Sequence, residues 1–306
     1  MQHKICFSKK NALIVAITII IISVPLLLSQ TVLKNKRGFN SKASEVNEAP
    51  HIIGGTPVTD PKKYPFFVVI SVNTGKEVIL CGGTFIGGKW VISAYHCVED
   101  DDKIVSPSNV TVLTDVVDGH LTRSYSVKNI NPYESGTLTK INNKIGLINN
   151  YLILHDIVLL ELNESIIDRK PALLPTSNTL VPSDAIIIGK GDTWKKTFDI
   201  YSLVVNEAPI ILEVMPDIFT PKIINGQKVT DKFYYNSYDV LSTATGGGDS
   251  GGPVIAIVDG KTYVIGIIKA GQGLGKAPTG SLYLKTSYYT HWLYYKMDNK
   301  NYLEGR

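Results

Sequence analysis

The chain reads as an all-β body closed by a C-terminal helix, and three observations carry that reading. From residue 52 onward, short Val-, Ile- and Tyr-rich runs alternate with Gly, Pro, Asn and Asp, the pattern of short strands joined by turns. Helical periodicity is missing from these runs except near the C-terminus. The chain of 306 residues is 44% hydrophobic and 19% charged, enough for a sizeable core and inconsistent with general disorder.

The N-terminus differs from the body. Lys4, Lys9 and Lys10 precede an apolar run over 12–28 in which only Thr18 and Ser23 are polar. A basic segment (1–11) followed by such a run predicts a signal peptide or a transmembrane signal anchor. No small-x-small cleavage site follows, Leu27-Leu28-Ser29 being the nearest approach. That favours an uncleaved anchor holding the body outside the cytoplasm, with secretion after cleavage as the alternative. Residues 29–51 are polar and without period, as a linker or pro-segment would be.

Charge follows the same division. From residue 52 onward there are 24 basic and 25 acidic side chains, so the sequence pI of 8.7 is an N-terminal effect. A nearly neutral body has no footprint for nucleic acid. Three cysteines are too few for a disulfide scaffold and lack zinc spacing; His3, His51, His120, His155 and His291 form no ligand cluster.

Strands are expected at 66–72, 78–80, 90–93, 110–113, 157–162, 185–188, 201–205, 254–257 and 263–268. Residues 163–180, with Pro171 and Pro175, are the expected connection between two halves. Over 287–297, Tyr288, Trp292 and Tyr295 fall at helical spacing, and 297–306 is a polar tail. Asn109-Val110-Thr111 and Asn163-Glu164-Ser165 are sequons that matter only in a glycosylating host.

Three segments carry chemistry: Cys81-Gly82-Gly83 with Ala94-Tyr95-His96-Cys97, then His155-Asp156, then Gly246-Gly247-Gly248-Asp249-Ser250-Gly251-Gly252-Pro253. A serine between glycines sits on a sharp turn that a substrate carbonyl can approach. The N–H groups of Gly248 and Ser250 are candidates to stabilise an oxyanion. Serine needs a base, for which His96 is the candidate, and the base needs an orienting carboxylate, which Asp156 at the head of an apolar run supplies. Each alone is explained by turn, cap or packing; all three, in the order His, Asp, Ser, are not.

On these motifs the chain resembles a chymotrypsin-like (trypsin-family) serine protease over roughly residues 52–296. The resemblance implies two six-stranded antiparallel β-barrels, about 52–165 and 176–285, and a serine endopeptidase that needs no metal or organic cofactor. It implies His96 as general base, Asp156 as its partner, Ser250 as nucleophile, and Gly248 and Ser250 as the oxyanion hole. Cys81 and Cys97 match the family's disulfide beside the histidine, leaving Cys6 in the basic segment. Ile52-Ile53-Gly54-Gly55 resembles a mature N-terminus released from a zymogen, whose α-amino group would pair with Asp249. His51 before that bond does not suit a trypsin-like activator.

The specificity pocket implied is Ala244, Thr245, Gly271 and Ser281, without a carboxylate, so preference for Arg or Lys is not expected and an apolar side chain is. Lys269 and Lys276 nearby leave an acidic preference as the alternative. Implied partners are a peptide or protein substrate, an activating protease, and a membrane through 12–28.

The chain departs from the family at several positions. Tyr95 replaces a small residue, Gly189-Lys190-Gly191 a Gly-Trp-Gly, and Gly246 a cysteine. Lys269 stands where a serine usually bonds the catalytic aspartate; its side chain either pairs with Asp156 or turns away. That keeps a rival reading, a catalytically weak homologue serving as a surface binding module. Gly248-Asp249-Ser250-Gly251-Gly252 also fits the G-x-S-x-G elbow of α/β-hydrolases, with Asp259 and His291 following. A β-branched strand after Pro253, where that elbow needs a helix, argues against it.

Overall fold

The computed structural model describes residues 52–298, apart from 61, 118–119, 134–137, 141–150, 154, 177, 191–203, 214–222, 225–226, 229–231, 238–240 and 275–276. The expected signal or anchor (12–28), the linker (29–51) with His51, Cys6, Lys276 and residues 299–306 of the tail lie outside the described residues. Among the described residues no helix is long and apolar enough to cross a membrane.

Six strands form the first half: β1 Phe67–Asn73, β2 Val78–Gly87, β3 Trp90–Ser93, β4 Val110–Val117, β5 His120–Pro132 and β6 Val158–Leu162. They close a barrel in the order β6-β3-β2-β1-β4-β5, with β5 returning to β6 at Ile130↔Leu160 and Asn131↔Leu159. Alternation does not describe β1 and β6, which are buried almost throughout. Their continuous Val/Ile/Leu runs fit strands covered on both sides, by the barrel interior and by the connection and C-terminal segments outside.

The second half comprises β7 Asp184–Gly189, β8 Asn206–Ile211, β9 Phe233–Ser237, β10 Pro253–Val258, β11 Lys261–Leu274 and β12 Ala277–Lys285. Here the expectation of a second closed barrel needs correction. Among the described residues this is an open sheet, β9-β12-β11-β10-β7-β8, extended beyond β8 by Thr56–Pro57. Its two ends meet at one residue pair, Glu213 and Tyr235, which exchange backbone hydrogen bonds of 2.7 and 3.2 Å. One isolated bridge makes a seam rather than a ladder.

Residues 204–205, expected in a strand, precede β8 instead. That strand is signalled only by the alternating burial of Asn206, Ala208 and Ile210. Pro209 within it takes the exposed side near the sheet edge, where a missing N–H costs little.

The connecting segment bonds to both halves. Ala172 N–H donates to Phe85 O in the first half, and Leu173 N–H to Thr262 O in the second. The C-terminal helix α1, Thr290–Lys296, follows a 3₁₀ turn at Thr286–Tyr288. It buries Thr290 and Leu293, with Tyr289 buried just before it; of the three residues expected at helical spacing, Trp292 is half-buried against the core while Tyr288 and Tyr295 are exposed. Tyr289 and Leu293 are four apart, one turn on one face, and join the core shared with the first barrel.

Candidate active site

Four segments meet between the halves. His96 lies in the 3₁₀ turn Tyr95–Val98 after β3, and Asp156 just before β6. The antiparallel β3–β6 pair, with Ser93 opposite Val158, brings these two strand ends together. Asp156 is fully buried and holds His96 at two points: Oδ1 accepts the His96 backbone N–H at 3.0 Å, and Oδ2 lies 2.8 Å from Nδ1. Backbone and ring are both fixed, so the imidazole cannot rotate without losing one bond. The ring remains about one-third exposed.

The loop carrying Ser250 is set by glycines. Gly248 and Gly251 have φ of +82° and +80°, a region that L side chains avoid. A Cβ on Gly251 would lie 2.2 Å from Ser93 Oγ and 2.4 Å from Gly82 O. Gly82 N–H donates to Ser250 O at 2.8 Å. Gly251 N–H donates to Ile268 O at 2.8 Å, and Gly252 O accepts Ile268 N–H at 2.9 Å. The serine segment is thus clamped to β2 on one side and β11 on the other. Cys81 and Cys97 form a disulfide, with Cα atoms 6.3 Å apart, that ties β2 to the turn bearing His96. Cys97 Sγ lies 3.8 Å from the Ser250 carbonyl oxygen.

Lys269 turns toward Asp156, with Nζ 3.0 Å from Oδ2 and a side chain only 9% exposed. It sits at a bulge, since Ile268 faces Tyr283 and Ala270 faces Leu282 with Lys269 unopposed. A bulge re-aims a side chain that regular alternation would send elsewhere. Burial alone would raise the Asp156 carboxyl. The His96 ring and the Lys269 ammonium outweigh it, with the His96 hydrogen bonds, and hold the group well below the usual carboxylate range.

Ile52 is buried, and Ile52–Ile53 pairs antiparallel with Ala244–Thr245. Asp249 is buried, its Oδ2 accepting Gly246 N–H at 2.8 Å. The other oxygen leans on the backbone of Gly189, where a Cβ would lie 2.1 Å away. Ala244, Thr245 and Ser281 are buried side by side, with Ser281 Oγ accepting from Thr245 N–H at 2.8 Å. Gly271 lies opposite Ser281 on the neighbouring strand. Tyr283 beneath them donates to Asn236 Oδ1 at 2.5 Å, and burial pushes its phenol up, far above an ordinary tyrosine. Among the described residues no cluster of three or more His, Cys, Asp or Glu side chains could hold a metal ion.

Two parts of the site escape sequence reasoning. Gly82 holds the serine loop, with Ser93 Oγ donating to Gly82 O at 2.8 Å, and only the glycine pair at 82–83 signals it. Behind Asp156, His155 stacks on Tyr133 at 4.8 Å, and its Nδ1 lies 3.1 Å from the Tyr289 hydroxyl. Its Nε2 lies 3.2 Å from the buried Lys232 Nζ. An ammonium only donates, so Nε2 accepts and Nδ1–H donates to Tyr289.

The trypsin family profile matches residues 52–293. Coagulation factor IX of Oryctolagus cuniculus is 25% identical over 257 residues, spanning 82% of this chain and 86% of that protein. Complement factor I of Mus musculus is 28% identical over 255 residues, spanning 80% of this chain and 38% of that protein. Complement factor I of Rattus norvegicus is 28% identical over 261 residues, with shares of 80% and 38%.

Proposed function

From the premise that this chain belongs to the trypsin family of chymotrypsin-like serine proteases, we propose that it is an exported serine endopeptidase working through Ser250, His96 and Asp156. The observation that carries the proposal is the two-point hold of Asp156 on His96 beside a clamped serine loop.

In this reading Ser250 Oγ attacks the peptide carbonyl carbon while His96 Nε2 takes the hydroxyl proton. The carbonyl oxygen becomes an oxyanion facing the N–H groups of Gly248 and Ser250. The C–N bond then breaks, and His96 returns the proton to the leaving amine. Water, deprotonated by the same imidazole, hydrolyses the acyl ester and regenerates Ser250. Asp156 stays ionised and keeps the imidazole in the tautomer that accepts at Nε2. Substrate lies extended beside Lys269–Gly271, by analogy with the family.

Three further parts belong to the proposal. The chain is made as a zymogen, and cleavage after His51 frees the Ile52 amine to pair with Asp249. Ile52 and Asp249 are both buried in the second half, and Ile52–Ile53 pairs with the strand Ala244–Thr245 just before the serine loop, which supports this. Residues 12–28 direct export, as anchor or as cleaved signal. The pocket of Ala244, Thr245, Gly271 and Ser281 takes an apolar side chain.

A peptidyl phosphonate, which labels only an activated serine, tests the proposal. Full-length chain and chain cleaved after His51 are compared with Ser250→Ala. Labelling that rises on cleavage and vanishes in Ser250→Ala is the expected result. Equal hydrolysis by Ser250→Ala would sink the mechanism.

A further inference from the structure

Asp156 Oδ2 is shared by two donors from opposite halves of the molecule, His96 Nδ1 at 2.8 Å and Lys269 Nζ at 3.0 Å. All three groups are held, the carboxylate by burial, the imidazole at two points, and Lys269 by its bulge beside Ile268, which is itself pinned to the serine loop. Given the protease reading, on which this inference rests, we propose that Lys269 is a positioning residue that tempers the triad and moves its working range to lower pH.

The reason is charge. With a neutral hydroxyl in place of Lys269, the Asp156–His96 pair would go from −1 to 0 when the imidazole takes the serine proton. With Lys269 present the same step takes the group from 0 to +1, in a site largely withdrawn from water. The ammonium offsets the carboxylate just where the carboxylate would stabilise the imidazolium. Forming that imidazolium is harder, both in the transition state and in the resting enzyme. The first effect slows turnover at high pH. The second keeps the base unprotonated, and the enzyme competent, at lower pH.

The ionisable groups described around this centre are few. Asp156 and Lys269 face His96 directly or through one atom. His155, one residue before Asp156, turns away to Lys232 and Tyr289. Asp249 lies buried next to Ser250 in the chain, its Oδ2 engaged by Gly246. Lys232 is buried against His155 Nε2, and Lys269 is the cation in contact with the triad carboxylate.

The test is the pH profile of kcat/KM for a peptide substrate. Wild-type chain, Lys269→Ser, Lys269→Met and Lys269→Arg are compared, each expressed full length and cleaved after His51. A unit charge a few ångströms away through a partly screened medium changes such a step by about tenfold. Lys269→Ser is therefore expected to gain about tenfold in kcat above pH 8, with KM little changed, and its acid limb to move up by about one pH unit. Below both limbs the two profiles converge, because a tenfold faster step and a one-unit shift of the limb cancel there. Lys269→Met, which keeps the stem but loses the charge, shows the same shift of the limb, and Lys269→Arg keeps the wild-type profile. If Lys269→Ser fails to fold, the Met and Arg pair makes the same comparison. A fall in kcat with an unmoved acid limb would show a strut between the halves and overturn the inference. Equal phosphonate labelling of all four chains at every pH overturns it alone. No labelling in any of them overturns the protease reading, and this inference with it.

Discussion

Gly82 and Gly252 meet backbone to backbone where the two halves of the molecule join. A Cβ on Gly82 would lie 2.6 Å from Gly252 Cα and 2.7 Å from Gly252 N. Neither is the end of a flexible side chain, so nothing can yield except the serine loop itself. The same Gly82 supplies the N–H that holds Ser250 O.

Gly82→Ala should therefore damage site and stability together. Overpacking of this kind costs about 1–3 kcal/mol, and the displaced loop should lower phosphonate labelling by at least about tenfold, the equivalent of 1.4 kcal/mol. Thermal melting and labelling rate of the variant check both. Wild-type values would show that the loop has room the structure denies it.

Glu161 carries a pH dependence away from His96, Asp156 and Ser250. Its carboxylate takes Lys89 Nζ at 2.5 Å, Asn129 Nδ2 at 2.6 Å and Lys128 Nζ at 3.3 Å. The bond from Lys89 first, against the opposing cost of burial, then those from Asn129 and Lys128, lower its pKa to about 2. A carboxyl lowered in the folded state stabilises above its unfolded value, near 4.3, and that contribution is lost as pH falls toward 2. Glu161→Gln should be less stable than wild type at pH 7 by about 1 kcal/mol. The difference should close between about pH 4 and pH 2. Denaturant unfolding at pH 7, 4 and 2 measures it; a gap that persists at pH 2 would assign the effect to packing.

Activation should depend on a free amine at Ile52. Protein beginning at Ile52 is expected to outperform protein that keeps residues 38–51, measured by peptide hydrolysis with the N-terminus sequenced. Equal rates from a verified uncleaved N-terminus would rule out the Ile52–Asp249 pair as the switch.

Specificity should follow the uncharged pocket. The hydroxyl of Ser281 is already engaged by Thr245, and Ala244 offers no polar group. An arginine or lysine side chain entering there would be a buried, unpaired cation, which is costly. A peptide library should show cleavage after medium or large apolar residues. Dominant cleavage after Arg or Lys would refute the pocket assignment.

What the sequence determined by itself is the class of fold and a set of candidate reacting groups. Short β-rich runs between turn residues made the body all-β, because strand propensity and turn chemistry are local. His96, Asp156 and Ser250 were legible as a set, because nucleophile, base and carboxylate demand particular side chains whatever the backbone does. The tertiary structure decided everything that turns on which face a residue presents. Lys269 was open between pairing with Asp156 and turning away, and a bulge settled it, since one extra residue reverses a period of two. Of Tyr288, Trp292 and Tyr295 only Trp292 packs against the core, and Tyr289 and Leu293 are the buried pair, because the core they cover comes from strands far away in sequence. Among the described residues the ends of the second sheet meet at the Glu213–Tyr235 bridge. The fit of Gly82 against Gly252 likewise joins segments 170 residues apart. Such contacts are set by packing density and approach distance, which no run of neighbouring residues encodes.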